Sequence, residues 1–178
     1  MIRLSHAAFA AALLAAGPVL AASDGTLGAT STGSSNISLT VAAAVKISGV
    51  NDITLNASGV GGGPTLEGSD AVCIYSSVGS NHSYKITATS NSTSFKVTDS
   101  ANTSSIPYTV GFVPGINPTA WDTLTYGTPT NSFSGSGSQN CGGANNATFR
   151  VTFSSSDLAA ASSGTYTSVL NLLVEPGA

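Results

Sequence analysis

The residues that could carry acid–base chemistry in this chain are few. Of its two histidines, His6 lies in the N-terminal apolar stretch, which leaves His82 for the rest of the chain. With Ser83 and either Asp99 or Asp122 this histidine could form a triad that activates the serine hydroxyl for nucleophilic attack. Because serine is abundant throughout the sequence, that match carries little information, and we favour a solvated histidine in a turn between two strands. We therefore expect no catalytic residues and no enzymatic activity.

Side chains of the types that bind metal ions or phosphate are also scattered along the sequence. The carboxylates occur singly, without the Asp-x-Asp-x-Asp run that fills a calcium shell. The sequence has no Cys-x-x-Cys or His-x-x-x-His spacing. The glycines at 61–63 are not followed by the Lys-Ser/Thr pair of a phosphate-binding loop. These patterns predict a protein without a metal ion or cofactor.

The first 22 residues have the pattern of a cleavable secretory leader. Arg3 supplies a short positive start, an apolar run spans 7–16, and Ala21 and Ala22 provide the small residues that a signal peptidase accepts. The apolar run is well short of the roughly 20 residues that a transmembrane helix needs. We expect cleavage after Ala21 or Ala22 and export of the chain, with no membrane insertion afterwards.

The two cysteines, Cys73 and Cys141, are then expected in an oxidising compartment. With no third thiol in the sequence, they predict one disulfide. The loop it closes has about 70 residues, for which the chain-entropy model gives a stabilisation of roughly 4 kcal/mol.

The composition bounds the class of protein and excludes some partners. The chain has 178 residues with 5 Lys and Arg against 8 Asp and Glu, so its formal charge is -3, and it is rich in small polar residues. Such a surface is common in secreted β-proteins. It offers no basic patch for nucleic acid and no polybasic face for an anionic membrane. The length predicts one domain.

The elements that would position these residues are short strands. Alternating or β-branched segments between Gly, Pro and Asn predict strands at 37–47, 52–56, 71–75, 84–88, 95–98, 106–113, 121–126, 147–153 and 164–175. We expect 71–75 and 84–88 to form a hairpin, 59–64 and 128–146 to be loops, 157–161 to form one helical turn, and Pro107 to mark an edge or a strand start. Without a sustained helical period, this pattern predicts an all-β, immunoglobulin-like β-sandwich.

The last predicted strand raises the question of a missing partner. One face carries Tyr166, Ser168, Leu170, Leu172 and Val174, and the other face includes Val169 and Leu173. Two mostly apolar faces indicate a covered strand, whose backbone needs a partner along each edge. Because the sequence continues for only three residues beyond it, we expect that partner to come from elsewhere.

Three segments carry a resemblance to a known family. These are Thr32-Gly-Ser-Ser-Asn-Ile-Ser-Leu-Thr-Val41, the strand Cys73-Ile-Tyr-Ser-Ser77 leading to Tyr84-Lys-Ile-Thr-Ala88, and Gly164-Thr-Tyr-Thr-Ser-Val-Leu-Asn-Leu-Leu-Val174. Together they resemble the archaic chaperone–usher pilins and the related spore coat protein U-like secreted domains. The resemblance implies an immunoglobulin-like subunit that lacks its last strand. A periplasmic chaperone would carry it to an outer-membrane usher, and the product would be a surface fimbrium in adhesion or biofilm.

The resemblance also implies how the subunits join. The N-terminal extension of one subunit fills a groove in the next by strand addition. This contact does not close on itself, so it builds a head-to-tail fibre. Here the leader would be 1–22, the donor extension 23–35 and the sandwich 36–178. The donor residues would be Leu27, Ala29, Ser31 and Gly33, and the groove residues Ile37, Leu39, Val41, Tyr166, Leu170, Leu172 and Val174.

The sequence departs from that family in three places. The extension has Leu27 as its one sizeable apolar residue, so it would fill a groove weakly unless part of Ile37–Val41 joins it. Cys73 comes late for a pilin, and Gly177 stands where classical pilins have a penultimate tyrosine. Two alternatives stay open. The chain's own N-terminus could fill the free edge, or the protein could be a self-contained carbohydrate- or protein-binding module that uses Trp121 and the loop around Cys141.

Overall fold

The computed structural model describes residues 22–57, 65–116 and 118–177. The predicted leader lies outside the described residues except for Ala22, and so does the predicted loop at 59–64. The chain divides into two units, Met1–Val41 and Ala42–Ala178.

The regular secondary structure of the second unit is almost entirely β-strand. Its described residues form β1 (Val45–Ser48), β2 (Leu66–Ser76), β3 (Ser83–Ser90), β4 (Lys96–Asp99), β5 (Ser105–Pro107), β6 (Thr109–Val113), β7 (Asp122–Leu124), β8 (Phe133–Ser134), β9 (Ala147–Phe153), β10 (Tyr166–Thr167) and β11 (Leu170–Pro176). A 3₁₀ turn at Cys141–Gly143 and the helix α1 (Ser155–Ala160) complete them. The Ser154 side chain caps α1 by accepting a hydrogen bond from the Asp157 amide.

The strands form three antiparallel sheets. One has five strands in the order β1-β2-β9-β6-β7, and the other two have the orders β10-β4-β5 and β11-β3-β8. Apolar side chains from all three sheets form a common core. The prediction of an all-β, immunoglobulin-like sandwich is therefore confirmed.

The core follows the two-residue period of the strands. In β9, Ala147, Phe149, Val151 and Phe153 are buried, whereas the alternate residue Arg150 faces outward. The other buried apolar residues of the core are Val72, Ile74, Tyr84, Ile86, Ala88, Ile106, Tyr108, Val110, Phe112 and Leu124. Edge-to-face and tilted ring contacts, such as that of Tyr84 on Phe112 with centroids 6.4 Å apart, add to the area burial.

The predicted disulfide between Cys73 and Cys141 is confirmed, with Cα atoms 5.8 Å apart. It joins β2 to the 3₁₀ turn at the point where β2 changes partner. Up to Val72 this strand pairs with β9, and from Cys73 onward it pairs with β1. Beyond the change, the Asn146 amide bonds both the N–H and the C=O of Ile74, at 2.8 and 2.9 Å. The disulfide and Asn146 thus hold the half of β2 that supports β1.

Several predicted elements differ from the structure. The strand expected at 37–47 begins only at Val45, and 52–56 forms no strand, although Ile53 and Leu55 pack against the core. The predicted hairpin of 71–75 with 84–88 is wrong, because β2 and β3 belong to different sheets. The loop expected at 128–146 contains β8 and the 3₁₀ turn. Periodicity reports which face of a strand is buried, but it does not report the neighbouring strand.

The first unit contains a closed loop followed by a run without regular secondary structure. Ser23 and Ser34 exchange main-chain hydrogen bonds of 3.0 and 2.9 Å and are also joined through their hydroxyls. Residues 35–41 form no strand, and Ile37, Leu39 and Val41 are 96, 85 and 79% exposed.

Candidate functional site: a groove between two strand edges

The strands β1 and β11, from two different sheets, lie beside each other. Each has one strand partner within the described ranges, β2 for β1 and β3 for β11. Ser83 shows how they are aligned, because its carbonyl accepts hydrogen bonds from Ser76 Oγ at 2.7 Å and from the Gly177 amide at 3.0 Å. Since Ser76 is opposite Val45, the start of β1 lies at the same end as the finish of β11. The two strands therefore run in opposite directions.

The backbone of β11 directs hydrogen-bonding groups toward the edge away from β3. The Asn91 amide donates to the Val169 carbonyl and the Gly177 amide to Ser83, so the odd-numbered residues bond to β3. In an antiparallel pair the alternate residues point their N–H and C=O the other way. These are Leu170, Leu172, Val174 and Pro176. Pro176 lacks an N–H, which costs no ladder bond at such an edge.

β1 likewise directs backbone hydrogen-bonding groups away from its partner β2. The Ser77 amide donates to the Ala44 carbonyl at 2.9 Å, which places the even-numbered residues in the β2 ladder. Val45 and Ile47 therefore direct their N–H and C=O away from β2.

The same residues of both strands turn their side chains toward the core. Val45, Ile47, Leu170, Leu172 and Val174 are half-buried and pack against the buried cluster. We call the arrangement of these five residues the β1–β11 groove. It combines two backbone edges with an apolar floor, which are the features that bind an extended strand through main-chain hydrogen bonds and alternate side chains.

The structure brings together some of the predicted groove residues and places others elsewhere. Leu170, Leu172 and Val174 lie in the groove. Tyr166 lies in β10, which pairs with β4, and its hydroxyl hydrogen-bonds to Ser162 O at 3.0 Å and to Ser104 Oγ at 3.2 Å. Ile37, Leu39 and Val41 lie before β1, in the exposed run of the first unit.

Val45 and Ile47 were absent from the predicted groove set. They belong to the alternation that begins at Ile37, so the sequence contained their signal. Exposed Lys46 between them marks the face that turns outward.

The predicted donor residues lie in the closed loop of the first unit. Leu27, Ala29, Ser31 and Gly33 all fall between the hydrogen-bonded Ser23 and Ser34 and are exposed.

Two of the residues considered for catalysis, His82 and Asp99, have structural partners. The Nδ1 atom of His82 lies 3.0 Å from the Ser76 carbonyl, and Gly137 approaches the ring so closely that a β-carbon there would lie 2.5 Å from Nε2. The Asp99 carboxylate accepts hydrogen bonds from the Thr103 hydroxyl and amide, which lower the pKa of Asp99. Three or more metal-binding side chains do not cluster anywhere in the described ranges.

Trp121 lies on the outer face of the five-stranded sheet. The Arg150 guanidinium is 4.5 Å from the centroid of its ring, and a β-carbon on Gly111 would lie 3.2 Å from the ring. Arg150 also forms a 3.0 Å ion pair with Glu67. The ring is therefore already engaged by this chain's own side chain and backbone.

Within the part of the chain that the structure describes, no helix is long and apolar enough to cross a membrane.

Comparison with known proteins relates the fold to fimbrial structures. No protein-family model matches the chain, and no curated protein matches it. A chain of the solved structure of a chaperone–tip adhesin complex, vital for synergistic activation of CFA/I fimbriae biogenesis, superposes with a TM-score of 0.51 at 14% sequence identity. The match covers 75% of this protein but 42% of that chain. At this identity the likeness concerns the fold, and the protein thus has a β-sandwich fold related to that of a fimbrial chaperone–adhesin assembly.

Proposed function

We propose that this protein is a structural subunit of a surface fibre and polymerises by strand addition in the β1–β11 groove, without catalytic activity. The observation that carries this proposal is the pair of strand edges above half-buried Val45, Ile47, Leu170, Leu172 and Val174. Cα atoms of β1 and β11 come within 8 Å of each other, whereas two strands that flank a third lie roughly 9.5 Å apart. An extended segment must therefore part the two strands, and it would then satisfy both backbone edges and complete the cover of the core.

The donor that we propose is the run Ile37–Val41 of a second copy. Ile37, Leu39 and Val41 alternate with Ser38 and Thr40, so an extended conformation presents three large apolar side chains on one face. The run is uncharged and its apolar residues are exposed. By contrast, the predicted donor at 23–35 has Leu27 as its only large apolar residue. We therefore assign residues 23–35 to the segment that precedes the donor.

If the donor runs antiparallel to β11, successive subunits join into an open fibre. The chain enters β1 at the end of the groove where β11 finishes, near Val45 and Gly177. A donor that runs antiparallel to β11 would enter its own β1 beyond the other end, near Leu170. Neighbouring subunits would then lie at opposite ends of each sandwich, which produces a head-to-tail fibre.

The remaining parts of the proposal concern export and assembly. An apolar groove must be covered before polymerisation, because such a surface promotes aggregation. A periplasmic chaperone that supplies a temporary strand would cover it, and an outer-membrane usher would exchange that strand for the donor. The leader-like N-terminus and the fold relation to a chaperone–adhesin complex support this route to a surface fimbrium in adhesion or biofilm.

The test compares two lysine substitutions in the donor run. Leu39→Lys places a charge on the face that enters the groove, whereas Thr40→Lys places it on the opposite face of the same run. We expect fibres by electron microscopy from the Thr40→Lys variant and none from the Leu39→Lys variant. Equal fibre formation by both variants would contradict the assignment of this run as the donor.

A deletion separates the two possible donor segments. Removal of residues 23–35 leaves Ile37–Val41 in place, and we expect the truncated protein to form fibres. Loss of fibres after this deletion, together with fibres from Leu39→Lys, would assign the donor to 23–35 instead.

A further inference from the structure

The sheet with the order β10-β4-β5 borders a polar pocket that shares no residue with the β1–β11 groove. Its volume is about 250 Å³, and each residue that lines it has a hydroxyl, an amide or, at Lys96, an amine. We propose that this pocket binds an acidic sugar residue. Lys96 would bind the carboxylate, and the surrounding hydroxyls and amides would bind the sugar hydroxyls. The inference goes beyond strand addition and does not depend on it.

The strands β4 and β5 contribute side chains from one face of their sheet. Val97 packs against the core, so the alternate residues Lys96 and Thr98 point to the opposite, outer face. Ser105 lies opposite Thr98 in the ladder of the two strands and shares that face. All three of these outward residues line the pocket. The sheet thus presents one ammonium and two hydroxyls side by side.

Lys96 is the charged residue of the pocket. Its side chain is half-buried, and within the described ranges its ammonium forms no ion pair and no hydrogen bond. A charge that is partly removed from water is stabilised by an opposite charge, and a hydrogen bond between an ammonium and a carboxylate is stronger than one between neutral groups. The position of Lys96 therefore favours an anionic ligand.

The carboxylate closest to Lys96 in the sequence, that of Asp99, is engaged by its own turn. It accepts hydrogen bonds from the Thr103 amide at 2.8 Å and from the Thr103 hydroxyl at 2.7 Å. By the alternation of β4, Asp99 and Lys96 face opposite sides of the sheet, and Asp99 does not line the pocket. Lys96 is therefore left to a ligand.

Asn91 adds donors whose orientation is determined by its neighbours. Its Oδ1 atom accepts hydrogen bonds from the Val169 amide at 3.2 Å and from Ser168 Oγ at 3.0 Å. Because a backbone amide can only donate, the side-chain oxygen must lie on that side. The Nδ2 group of Asn91 is then the part of this lining residue that is left to donate to a ligand.

Hydrogen bonds hold the segment next to Asn91 in place before a ligand binds. The Ser92 carbonyl accepts from the Tyr126 hydroxyl, and the Ser92 amide donates to Ser90 Oγ at 3.1 Å. The turn that carries the lining residue Asn102 is closed by a 3.1 Å hydrogen bond from its amide to the Asp99 carbonyl. A preformed pocket loses little conformational freedom on binding.

The lining residues indicate the class of ligand. None of them has an aromatic ring or a large aliphatic side chain, so the pocket does not suit an apolar molecule. Hydroxyls and amides donate and accept hydrogen bonds, as sugar hydroxyls do. The volume lies below the roughly 300–1,000 Å³ of pockets for drug-sized ligands, which suits one sugar ring. A single phosphate or sulfate ion would leave most of these hydroxyls unused.

The experiment titrates carboxylated sugars into the purified protein and measures binding by NMR. The methyl glycoside of glucuronic acid represents the acidic sugars of polysaccharides, and that of N-acetylneuraminic acid represents the acidic ends of glycoprotein glycans. The primary amide of each sugar has nearly the same shape without the charge. Lys96→Gln removes the charge from the pocket. Lys85→Gln is the matched control, because Lys85 is also half-buried on a strand but does not line the pocket.

We expect at least one of the two acids to bind, and the one that binds identifies the source of the sugar. Its amide, and the acid with the Lys96→Gln variant, should bind at least about tenfold more weakly, because a charge-assisted hydrogen bond is lost. Lys85→Gln should bind as the unmodified protein does. Thr98→Val keeps the side-chain shape without the hydroxyl, and it should weaken binding by a smaller factor.

Several results would overturn the inference. These are binding of neither acid, equal binding of an acid and its amide, equal losses in the two lysine variants, and an unchanged affinity in both Lys96→Gln and Thr98→Val. Fibre formation is not a readout of this experiment, so the proposed function can fail while the sugar site stands, and the reverse.

Discussion

The strands β9 and β11 have the same length and the same alternation, but they have different surroundings. Each has seven residues with apolar side chains at alternate positions. β9 lies between β2 and β6, and its inward residues are at most 9% exposed. β11 pairs with β3 alone in the described ranges, its inward residues are only half-buried, and Leu173 on its outer face is 56% exposed.

The difference identifies an edge of the fold that has one strand partner in the described residues. A central strand has hydrogen-bonding partners on both edges and side chains packed from all sides. An edge strand in such a sandwich exposes backbone groups that another chain can bind. We therefore expect the seven residues of β11 to contribute less to the stability of the folded chain than those of β9, and we propose that they contribute to the binding of another strand.

The largest expected change in the free energy of unfolding comes from truncating one inward-facing residue in each of the two strands. Phe149→Ala in β9 removes a buried ring and should lower the free energy of unfolding by about 3–5 kcal/mol. Leu172→Ala in β11 removes a half-buried side chain and should cost less than about 2 kcal/mol, since large-to-small costs decrease with burial. Urea denaturation of the two variants measures both values. Equal losses would show that β11 is as well packed as β9.

A strand bound in the β1–β11 groove should reduce the difference between β9 and β11, because β11 would then have partners on both edges. A synthetic peptide with the sequence of residues 35–42, added to the protein at about 100 times its dissociation constant, should raise the free energy of unfolding by about 2.7 kcal/mol, because it binds the folded state only. Its Leu39→Lys form should have no such effect. Thermal unfolding with increasing peptide concentration measures the shift. A rise that is the same with both peptides would indicate binding outside the groove.

A smaller effect is expected at Tyr84 in β3, the strand that pairs with β11. Its hydroxyl is buried without a hydrogen-bond partner among the described residues, and burial raises its pKa well above the ordinary value. Removal of an unpaired buried hydroxyl by Tyr84→Phe should stabilise the protein by about 1 kcal/mol. Unfolding at neutral pH measures this change, and a loss of stability would mean that the hydroxyl has a partner.

The same residue predicts a pH dependence. Above about pH 10 the unfolded state loses the tyrosine proton that the folded state retains, so the free energy of unfolding should fall as the pH rises. The burial of Tyr108 raises its pKa and acts in the same direction. Tyr84→Phe should make this decline shallower in unfolding experiments between pH 9 and roughly 11.

The smallest expected effect concerns the outer face of β9. The Arg150–Glu67 pair is partly exposed on both sides, and Glu67→Gln should cost less than about 1 kcal/mol, as is usual for surface ion pairs. Arg150→Ala should cost more, because it also uncovers the Trp121 ring. Urea denaturation of both variants tests this order. A cost of Glu67→Gln as large as that of Phe149→Ala would show that the outer face of β9 matters as much as its core face.

Several features could be predicted from the sequence because they depend on local pattern. The alternation at 147–153 matches β9 residue for residue, and the two lone cysteines form the expected disulfide. Pro107 ends β5, an edge strand, as its missing N–H requires. The hairpin between 71–75 and 84–88 was wrong because a short turn does not specify whether the chain stays in one sheet or crosses to the other.

The residues of the candidate site could be identified only from the tertiary structure. From the sequence, Ile37–Ile47 was one strand with a candidate kink at Ala42–Ala44, and the pattern did not show that pairing with β2 begins only after that kink, at Val45. Support for that boundary comes from residues distant in sequence, namely Ser77 and the disulfide-linked Cys73 opposite Ser48. Residues before Val45 therefore had the pattern of a strand without the partner that makes one.

The sequence alone determined which face of each strand is apolar, because that depends on the two-residue period of the extended chain. It therefore determined the sandwich, the core residues of β9 and the inward face of β11. Only the tertiary structure decided which strand edges are paired, because hydrogen bonds between strands join residues far apart in the chain and leave no local pattern. The β1–β11 groove is a property of two edges, so it becomes visible when both strands are in place.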